Sequence, residues 1–380
     1  MLGQDDRSDP LLESYRLEQR QLVHIASEGH RFLLLTCRQC GSSISADTQG
    51  FPQPDKGLDR IRSHTLSHVP SNLRWAPPLT IRTIRYVCSV IAPTVSVIIP
   101  CLNVMKYIDV QLVALSEQNF GGVFEVIVSD NGSTDGLEQH ITNHPLTAEL
   151  NLRYVDSSQR AGISFARNNG SAYARGQFLA FCDGDDRVHS SWLTQLLLSA
   201  EFADLIAGGV ESESINSSEV HSWRPLASTD GLVLGRFLPS AMGCNIGIWK
   251  RAFDSIGGFD ESMTAGEDVE FSWRAQISGL SFAHAPKATV AYRLRSTLSG
   301  TWHQTVSYGM AEVELFLAFR DYGVQRPTMK SSLTTLAGLI LLNPLIPQRL
   351  SGMPRGRWIA FAGLQVGKLK CAARNRTFYF

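Results

Sequence analysis

The sequence lacks any apolar run of the roughly 18–20 residues that a membrane-spanning helix needs. Its nearest candidate, Leu333–Pro347, is interrupted by Asn343 and Pro344. It also lacks an excess of either charge: 35 Lys and Arg balance 35 Asp and Glu, and the isoelectric point is about 7.1. A general nucleic-acid-binding surface therefore gets no support, and no nucleic-acid partner is expected. The seven cysteines, at 37, 40, 88, 101, 182, 244 and 371, are odd in number and dispersed. That is not a disulfide framework, and it suits a reducing compartment. The first residues, MLGQDDRSDPLLESYRLEQ, are acidic and show no basic segment followed by an apolar core, so they do not read as a secretory leader. No Gly-x₄-Gly-Lys-Ser/Thr occurs, which excludes a P-loop ATPase. These absences lead to the expectation of a cytoplasmic protein, peripheral at the inner face of the cell membrane if it touches one.

What is present allows a sizeable core: 380 residues, 43% hydrophobic and 18% charged. Three zones divide the chain. An N-terminal extension over 1–92 is mixed in character, with helical spacing over Leu11–Ile25, a strand-like run at Arg31–Thr36, and a Gly/Ser/Pro-rich loop over Gly41–Lys56. From 93 to 300 strands and helices alternate. Val95–Pro100, Phe124–Ser129, Leu152–Val155 and Phe178–Cys182 are short apolar runs of the kind buried on both faces of a parallel sheet. Helices are expected over Met105–Gln118, Asp135–Asn143 and Ile163–Ala174. This order predicts a doubly wound α/β sheet. Further strands are expected at Asp204–Val210, Asn245–Ile248 and Thr289–Leu294, with helices at Arg251–Ile256 and Glu267–Ile277. The zone 301–380 reads as a helical, basic extension.

In open parallel sheets, ligands bind beyond the carboxyl ends of the strands. Acidic residues occupy two such ends. Asp130-Asn131-Gly132-Ser133-Thr134-Asp135-Gly136 offers polar side chains and backbone amides to a base and ribose; a plain turn with a helix cap at Thr134 or Asp135 explains the same residues. It is not an EF-hand, because position three is Gly132. Asp183-Gly184-Asp185-Asp186 follows the fourth strand directly. Carboxylates so crowded repel one another unless a cation joins them, and a hard divalent cation would neutralise a nucleoside diphosphate. Gly266-Glu267-Asp268-Val269-Glu270 opens a helix. Acidic residues are favoured there by the helix dipole, and one of them could also act as a general base toward an acceptor hydroxyl.

Taken together and in order, VSVIIPCLN, VIVSDNGSTDG, GISFARNNGSAYARGQFLAFCDGDD and CNIGIWKRAFDSIGGFDESMTAGEDVEFSWRAQISG resemble the family 2 glycosyltransferases over roughly residues 94–295. The resemblance implies a GT-A fold, a doubly wound and mostly parallel sheet with an acceptor-binding half. It implies an enzyme that moves a sugar from a nucleotide-diphosphate sugar to an acceptor hydroxyl with inversion, in polysaccharide or glycoconjugate synthesis, on a glycan or lipid-linked acceptor. By position, Pro100, Asn103, Asp130, Asn131, Ser133, Arg167, Asn168 and Asp183 fall to the donor. Asp185, with help from Asp183, falls to a Mg²⁺ or Mn²⁺ ion. Asp268 falls to the catalytic base, with Glu267 beside it. Many relatives carry a His after the last strand where this chain has Tyr292; His303 is the substitute candidate. An inactive nucleotide-sugar-binding protein of the same fold is an alternative, as is a nucleotidyltransferase. The latter would carry a Gly-rich basic loop after the first strand, where Cys101-Leu102-Asn103-Val104 stands.

Two features of the flanks stand apart. Cys37 and Cys40 with His64 and His68 follow the order of a structural Zn²⁺ module, but 23 residues separate the pairs, more than in common fingers. Reduced cysteines at a turn and two ordinary histidines are the favoured reading. Residues 351–380 carry six basic side chains and no acidic one, interleaved with Trp358, Ile359, Phe361 and Leu364. This pattern suits an anionic membrane surface and equally a helix packed on the catalytic domain.

Overall fold

The computed structural model describes residues 21–27, 30–36, 43–47, 94–227, 231–233 and 237–379, and the chain forms two compact units, Met1–Ile91 and Ala92–Phe380. The first unit contains an antiparallel three-stranded sheet of β1 (Gln21–Ser27), β2 (His30–Thr36) and β3 (Ser43–Asp47). The strand expected at Arg31–Thr36 is β2. The helical spacing of Leu11–Ile25 misleads over Gln21–Ile25, which pairs with β2 instead. The loop expected over Gly41–Lys56 contains β3. Pairing partners overrode weak local preference in both places. Cys37, Cys40, His64 and His68 lie outside the described residues.

In the second unit β4 (Val95–Cys101), α1 (Met105–Ser116), β5 (Phe124–Asp130), α2 (Leu137–Thr142), β6 (Leu152–Asp156), α3 (Ile163–Ala172) and β7 (Phe178–Cys182) follow one another. The strands β6-β5-β4-β7 lie side by side and parallel. Period-two alternation sorts their side chains. Val95, Val97 and Ile99 face one core with Ile108, Leu112 and Trp192. Ile98, Ile127 and Phe181 face the other, with Phe253, Phe259 and Phe271. Both faces are covered, so the strands read as unbroken apolar runs.

The chain continues through β8 (Arg187–Val188), α4 (Trp192–Ala200), β9 (Leu205–Glu211), α5 (Ser218–Trp223), the short pair β10 (Leu232–Val233) and β11 (Ser240–Ala241), β12 (Asn245–Trp249), α6 (Lys250–Ser255), α7 (Glu267–Ile277) and β13 (Phe282–Ala291). The main sheet has the order β6-β5-β4-β7-β12-β9-β13-β8. β12 runs antiparallel to both its neighbours and β8 antiparallel to β13, so six of the eight strands share one direction. The expectation of an α/β protein with a mostly parallel sheet holds. The last strand was expected at Thr289–Leu294 and instead spans Phe282–Ala291, with a register shift between Ala285 and Thr289 around Pro286 and Lys287. Pro286 hides the strand from sequence, because proline enters sheets only at edges and irregularities.

α8 (Leu298–Phe319), a 3₁₀ turn at Arg320–Tyr322, α9 (Met329–Leu341), α10 (Gln348–Ser351) and α11 (Arg355–Arg374) complete the chain. α11 packs along α8. Gly309 and Gly367 sit at the crossing, where a Cβ on either would collide with the backbone of the other helix. Lys368 is buried there and paired with Glu312 at 2.7 Å. Residues 355–374 of the basic tail thus form a helix packed against α8. Among the described residues, no helix is long and apolar enough to cross a membrane.

Candidate active site

The parallel register of β4 and β5 sets Cys101 beside Asp130, so the turns that follow the two strands meet. Pro100 is buried inside β4. Asn103 takes a left-handed φ of 55°, a conformation Asn tolerates better than most residues. Its N–H donates to Ser133 Oγ at 2.8 Å, and its Oδ1 accepts from the Thr134 N–H at 2.8 Å. Asp130 is buried; it accepts from the Ser133 N–H at 2.9 Å and from the Tyr154 hydroxyl at 3.0 Å. Burial, then that carboxylate, pushes the Tyr154 phenol well up. Asn131 spends its whole carboxamide on the next loop: it donates to the Ser157 and Arg160 carbonyls at 2.6 and 2.8 Å and accepts from the Gly162 N–H at 2.8 Å. Asp135 accepts from the Met105 N–H at 2.9 Å and so caps α1, which has no side-chain cap of its own at Val104. Pro100, Asn103, Asp130, Asn131 and Ser133 thus gather at one edge of the sheet.

The acidic turn follows β7, next to β4 on its other side. Gln111 of α1 holds the turn, donating to the Asp183 carbonyl at 3.0 Å and accepting from the Val188 N–H at 2.9 Å. Asp186 is fully buried. One carboxylate oxygen accepts from the Arg293 N–H at 2.7 Å; the other has no hydrogen-bond partner. Burial and the carboxylates of Asp183 and Asp185 push its pKa far up. Asp183 is pushed up as well, first by burial, although Arg167 pulls it back. Asp185 pairs with Arg295 at 3.4 Å, and its carbonyl accepts from Arg293 Nε at 2.6 Å. Three carboxylates within four residues have the all-oxygen chemistry a hard divalent cation takes, but their oxygens do not converge to sharing distance as they stand.

The third group comes from α3 and α7. Arg167 is 1% exposed and spans two carboxylates, Glu267 at 2.7 Å and Asp183 at 3.2 Å. Its guanidinium also lies over the Phe259 ring, 5.2 Å from the centroid. Gly266, at φ 75°, turns the chain into α7, so Glu267 and Asp268 stand in the first helical turn. Asp268 accepts from the Gly243 N–H at 2.8 Å. Burial, then the neighbouring Glu267 charge, raises its pKa to about 6. Asn168 fixes the loop ahead of α7: it donates to the Phe259 carbonyl and to Glu261, each at 2.9 Å, and accepts from the Phe259 N–H at 2.9 Å.

Arg167 is the residue that brings the two acidic groups together. His303 is exposed on α8, its Nδ1 taken by the Ser299 carbonyl at 2.8 Å. Among the described residues, the group of His, Cys or carboxylate side chains close enough to share a cation is Asp109, His140 and His144, between α1 and the end of α2. There Asp109 lies 2.5 Å from His140 and 3.4 Å from His144. Tyr292 is buried, its hydroxyl accepting from Gln304 at 3.3 Å, and burial raises its pKa far above the usual range. Sequence reasoning missed Arg293 and Arg295. Their signal was the alternation Arg-Leu-Arg just beyond the last strand, which puts both arginines on the face opposite Leu294.

Residues 96–257 match the model of Glycosyl transferase family 2. The chain is 31% identical over 201 residues to Glycosyltransferase AglE of Haloferax volcanii, covering 50% of this chain and 65% of that protein. It is 30% identical over 208 residues to the pre-mycofactocin glycosyltransferase of Mycobacterium tuberculosis, covering 52% of this chain and 43% of that one. It thus spans less than two thirds of either relative. Among solved structures, a mannosyltransferase of Pyrobaculum calidifontis in complex with GDP-Man and Mn²⁺ aligns with a TM-score of 0.48 at 17% identity, over 74% of this chain and 88% of that one. Over its sheet-forming portion the chain is therefore similar to the family 2 glycosyltransferases.

Proposed function

We propose that this chain is an inverting family 2 glycosyltransferase that moves a sugar from a nucleotide-diphosphate sugar to an acceptor hydroxyl, in the synthesis of a polysaccharide or glycoconjugate. One observation carries the reading. A single buried guanidinium, Arg167, is shared by Asp183 of the acidic turn and Glu267 of the acidic helix start. The carboxylates this reading gives to the donor side and the acceptor side therefore lie within reach of one side chain.

In this reading the stitched turns around Asn103, Asp130, Asn131 and Ser133 receive the base and ribose. Asp185 and Asp183 would hold a Mg²⁺ or Mn²⁺ ion, which when bound neutralises charge on the diphosphate leaving group. Arg295, half exposed and only loosely paired with Asp185 at 3.4 Å, can turn toward the same phosphates. Asp268, raised to about 6, is ionised at neutral pH yet basic enough to take a proton. It removes the acceptor hydroxyl's proton as that oxygen bonds to the anomeric carbon. The bond from that carbon to the phosphate oxygen breaks on the opposite face, and the electron pair leaves with the nucleoside diphosphate. Glu267 is held by Arg167 and lends the charge that lifts Asp268. Asn168 fixes the loop from which α7 starts.

The test is a panel of nucleotide sugars scored for thermal stabilisation with and without Mn²⁺, followed by product analysis with candidate glycan and lipid-linked acceptors. Metal-dependent stabilisation by one donor, with transfer at the opposite anomeric configuration, is the expected outcome. Tight donor binding with neither transfer nor donor hydrolysis would identify a catalytically silent binding protein instead.

A further inference from the structure

α9 is amphipathic the wrong way round. None of its residues is buried. Leu333, Leu336 and Ile340 recur at helical spacing and are 60, 54 and 63% exposed. Leu341 beside them and Leu345 and Leu350 beyond the helix end extend the strip. The half-buried Ser332 and Thr335 face the body of the protein instead and, with the exposed Ser331, border a small polar cavity with Gln365 and Lys368 of α11. The helix is tied down on that side by the Trp358 indole N–H, which donates to the Leu339 carbonyl at 2.9 Å. A water-facing helix should show the reverse arrangement, so the outward face is built for an apolar surrounding.

Charge identifies which surrounding. From residue 322 to residue 380 the chain has nine Lys and Arg and not one Asp or Glu. Lys330 and Arg349 bracket the apolar strip. Arg320 and Arg326 line a cleft of about 550 Å³ that also reaches Thr328 and Met329 at the start of α9. A protein partner would have to bring both apolar and acidic surface in register; an anionic lipid bilayer offers both without any register. Among the described residues no helix can span a bilayer, so the segment would lie in the plane of the interface.

We propose that residues 329–350 dock the protein onto an anionic membrane surface, with the leucine and isoleucine strip at the acyl boundary and the flanking arginines and lysines among the headgroup phosphates. The docking element is then not the basic tail as such, whose helix α11 is packed on α8, but the short helix and turns ahead of it. The proposal stands on this surface alone and is independent of the transfer reaction.

The full chain is mixed with sedimentable vesicles of phosphatidylcholine alone or with phosphatidylglycerol added, at low and high salt. Binding to the anionic vesicles is expected, weakened by salt and by the charge variant K330E/R349E. The variant L336E/I340E, at exposed positions, should keep the circular dichroism spectrum and melting of the parent and lose vesicle affinity by at least about tenfold. Equal binding of L336E/I340E and parent would overturn the proposal, as would no binding to anionic vesicles. If L336E/I340E instead splits a dimer seen by light scattering while the parent ignores vesicles, the face joins two copies of this chain and the proposal also falls.

Discussion

Asp183 and Glu267 hold the same guanidinium: Arg167 reaches the first at 3.2 Å and the second at 2.7 Å, inside the protein. One carboxylate follows the fourth parallel strand and the other opens a helix in the second half of the fold, so this arginine joins the halves at the site.

Removing Arg167 should therefore act on stability before it acts on chemistry. Arg167→Ala leaves two largely buried carboxylates without a partner, and breaking a buried pair this way costs about 3–5 kcal/mol. Urea unfolding of the variant should show a loss of that size. Arg167→Lys keeps the charge but not the fork, so it should recover part of the stability and little of the transfer rate. An Arg167→Ala protein as stable as the parent would mean the bridge is not formed in solution.

Asp268 carries the pH dependence. Its carboxyl is raised to about 6, above an ordinary value near 4. The folded chain thus binds this proton more tightly than the unfolded chain. Stability contributed by the group falls as pH rises from about 4 to about 6, and the ionised form remains a cost above that. Asp268→Asn removes the cost, so at pH 7 it should melt no lower than the parent. It should bind donor normally and lose transfer by about 10²–10⁴-fold. The parent's kcat/KM should climb through pH 6. Near-normal turnover in Asp268→Asn would take the base role from this residue.

The sequence disclosed the first half of the site better than the second, for physical reasons. Runs such as Val95–Cys101 and Phe178–Cys182 are buried on both faces, so their apolar continuity and the polar turns after them stand out. Asp130, Asp183 and Asp185 could be placed at strand ends from that pattern alone. β12 entering antiparallel between β7 and β9 leaves no local trace, because strand direction is set by distant partners and not by residue period. The bulged β13 was misplaced because Pro286 interrupts its run, and with it Arg293 and Arg295 were missed. Neither Asn131 nor Asn168 announces in sequence that its carboxamide is committed to a neighbouring loop; that commitment exists only once β6 and the loop at Phe259 have folded beside them.

Metal dependence can be assigned by comparing two places. If the ion sits on the acidic turn, Asp185→Ala abolishes the Mn²⁺ requirement for nucleotide binding, and the double variant His140→Ala/His144→Ala leaves it intact. Isothermal titration of nucleotide with and without Mn²⁺ reads both. One contact argues against the histidine group: His144 Nδ1 accepts from the Leu146 N–H at 3.2 Å, so its proton sits on Nε2, facing Asp109. That ring is set as a donor to the carboxylate and not as a metal ligand. Retained Mn²⁺ dependence in Asp185→Ala, with loss in the histidine double variant, would move the ion to the surface group.

Asp135 offers a test of how the donor edge is held. Its carboxylate caps α1 from a turn thirty residues along the chain, while Asn103 in the residues just before α1 is stitched to Ser133 and Thr134 of that same turn. Asp135→Ala should lower stability by about 1 kcal/mol, the usual effect of losing an N-terminal cap. It should also weaken nucleotide binding, because the two turns lose one of their ties. Asp135→Asn separates the contributions. If acceptance of the Met105 N–H is what matters, the amide oxygen replaces the carboxylate and both properties return. If Asn behaves like Ala, the negative charge at the positive end of α1 is the stabilising element, and raising the salt concentration should then erase the difference between the parent and both variants.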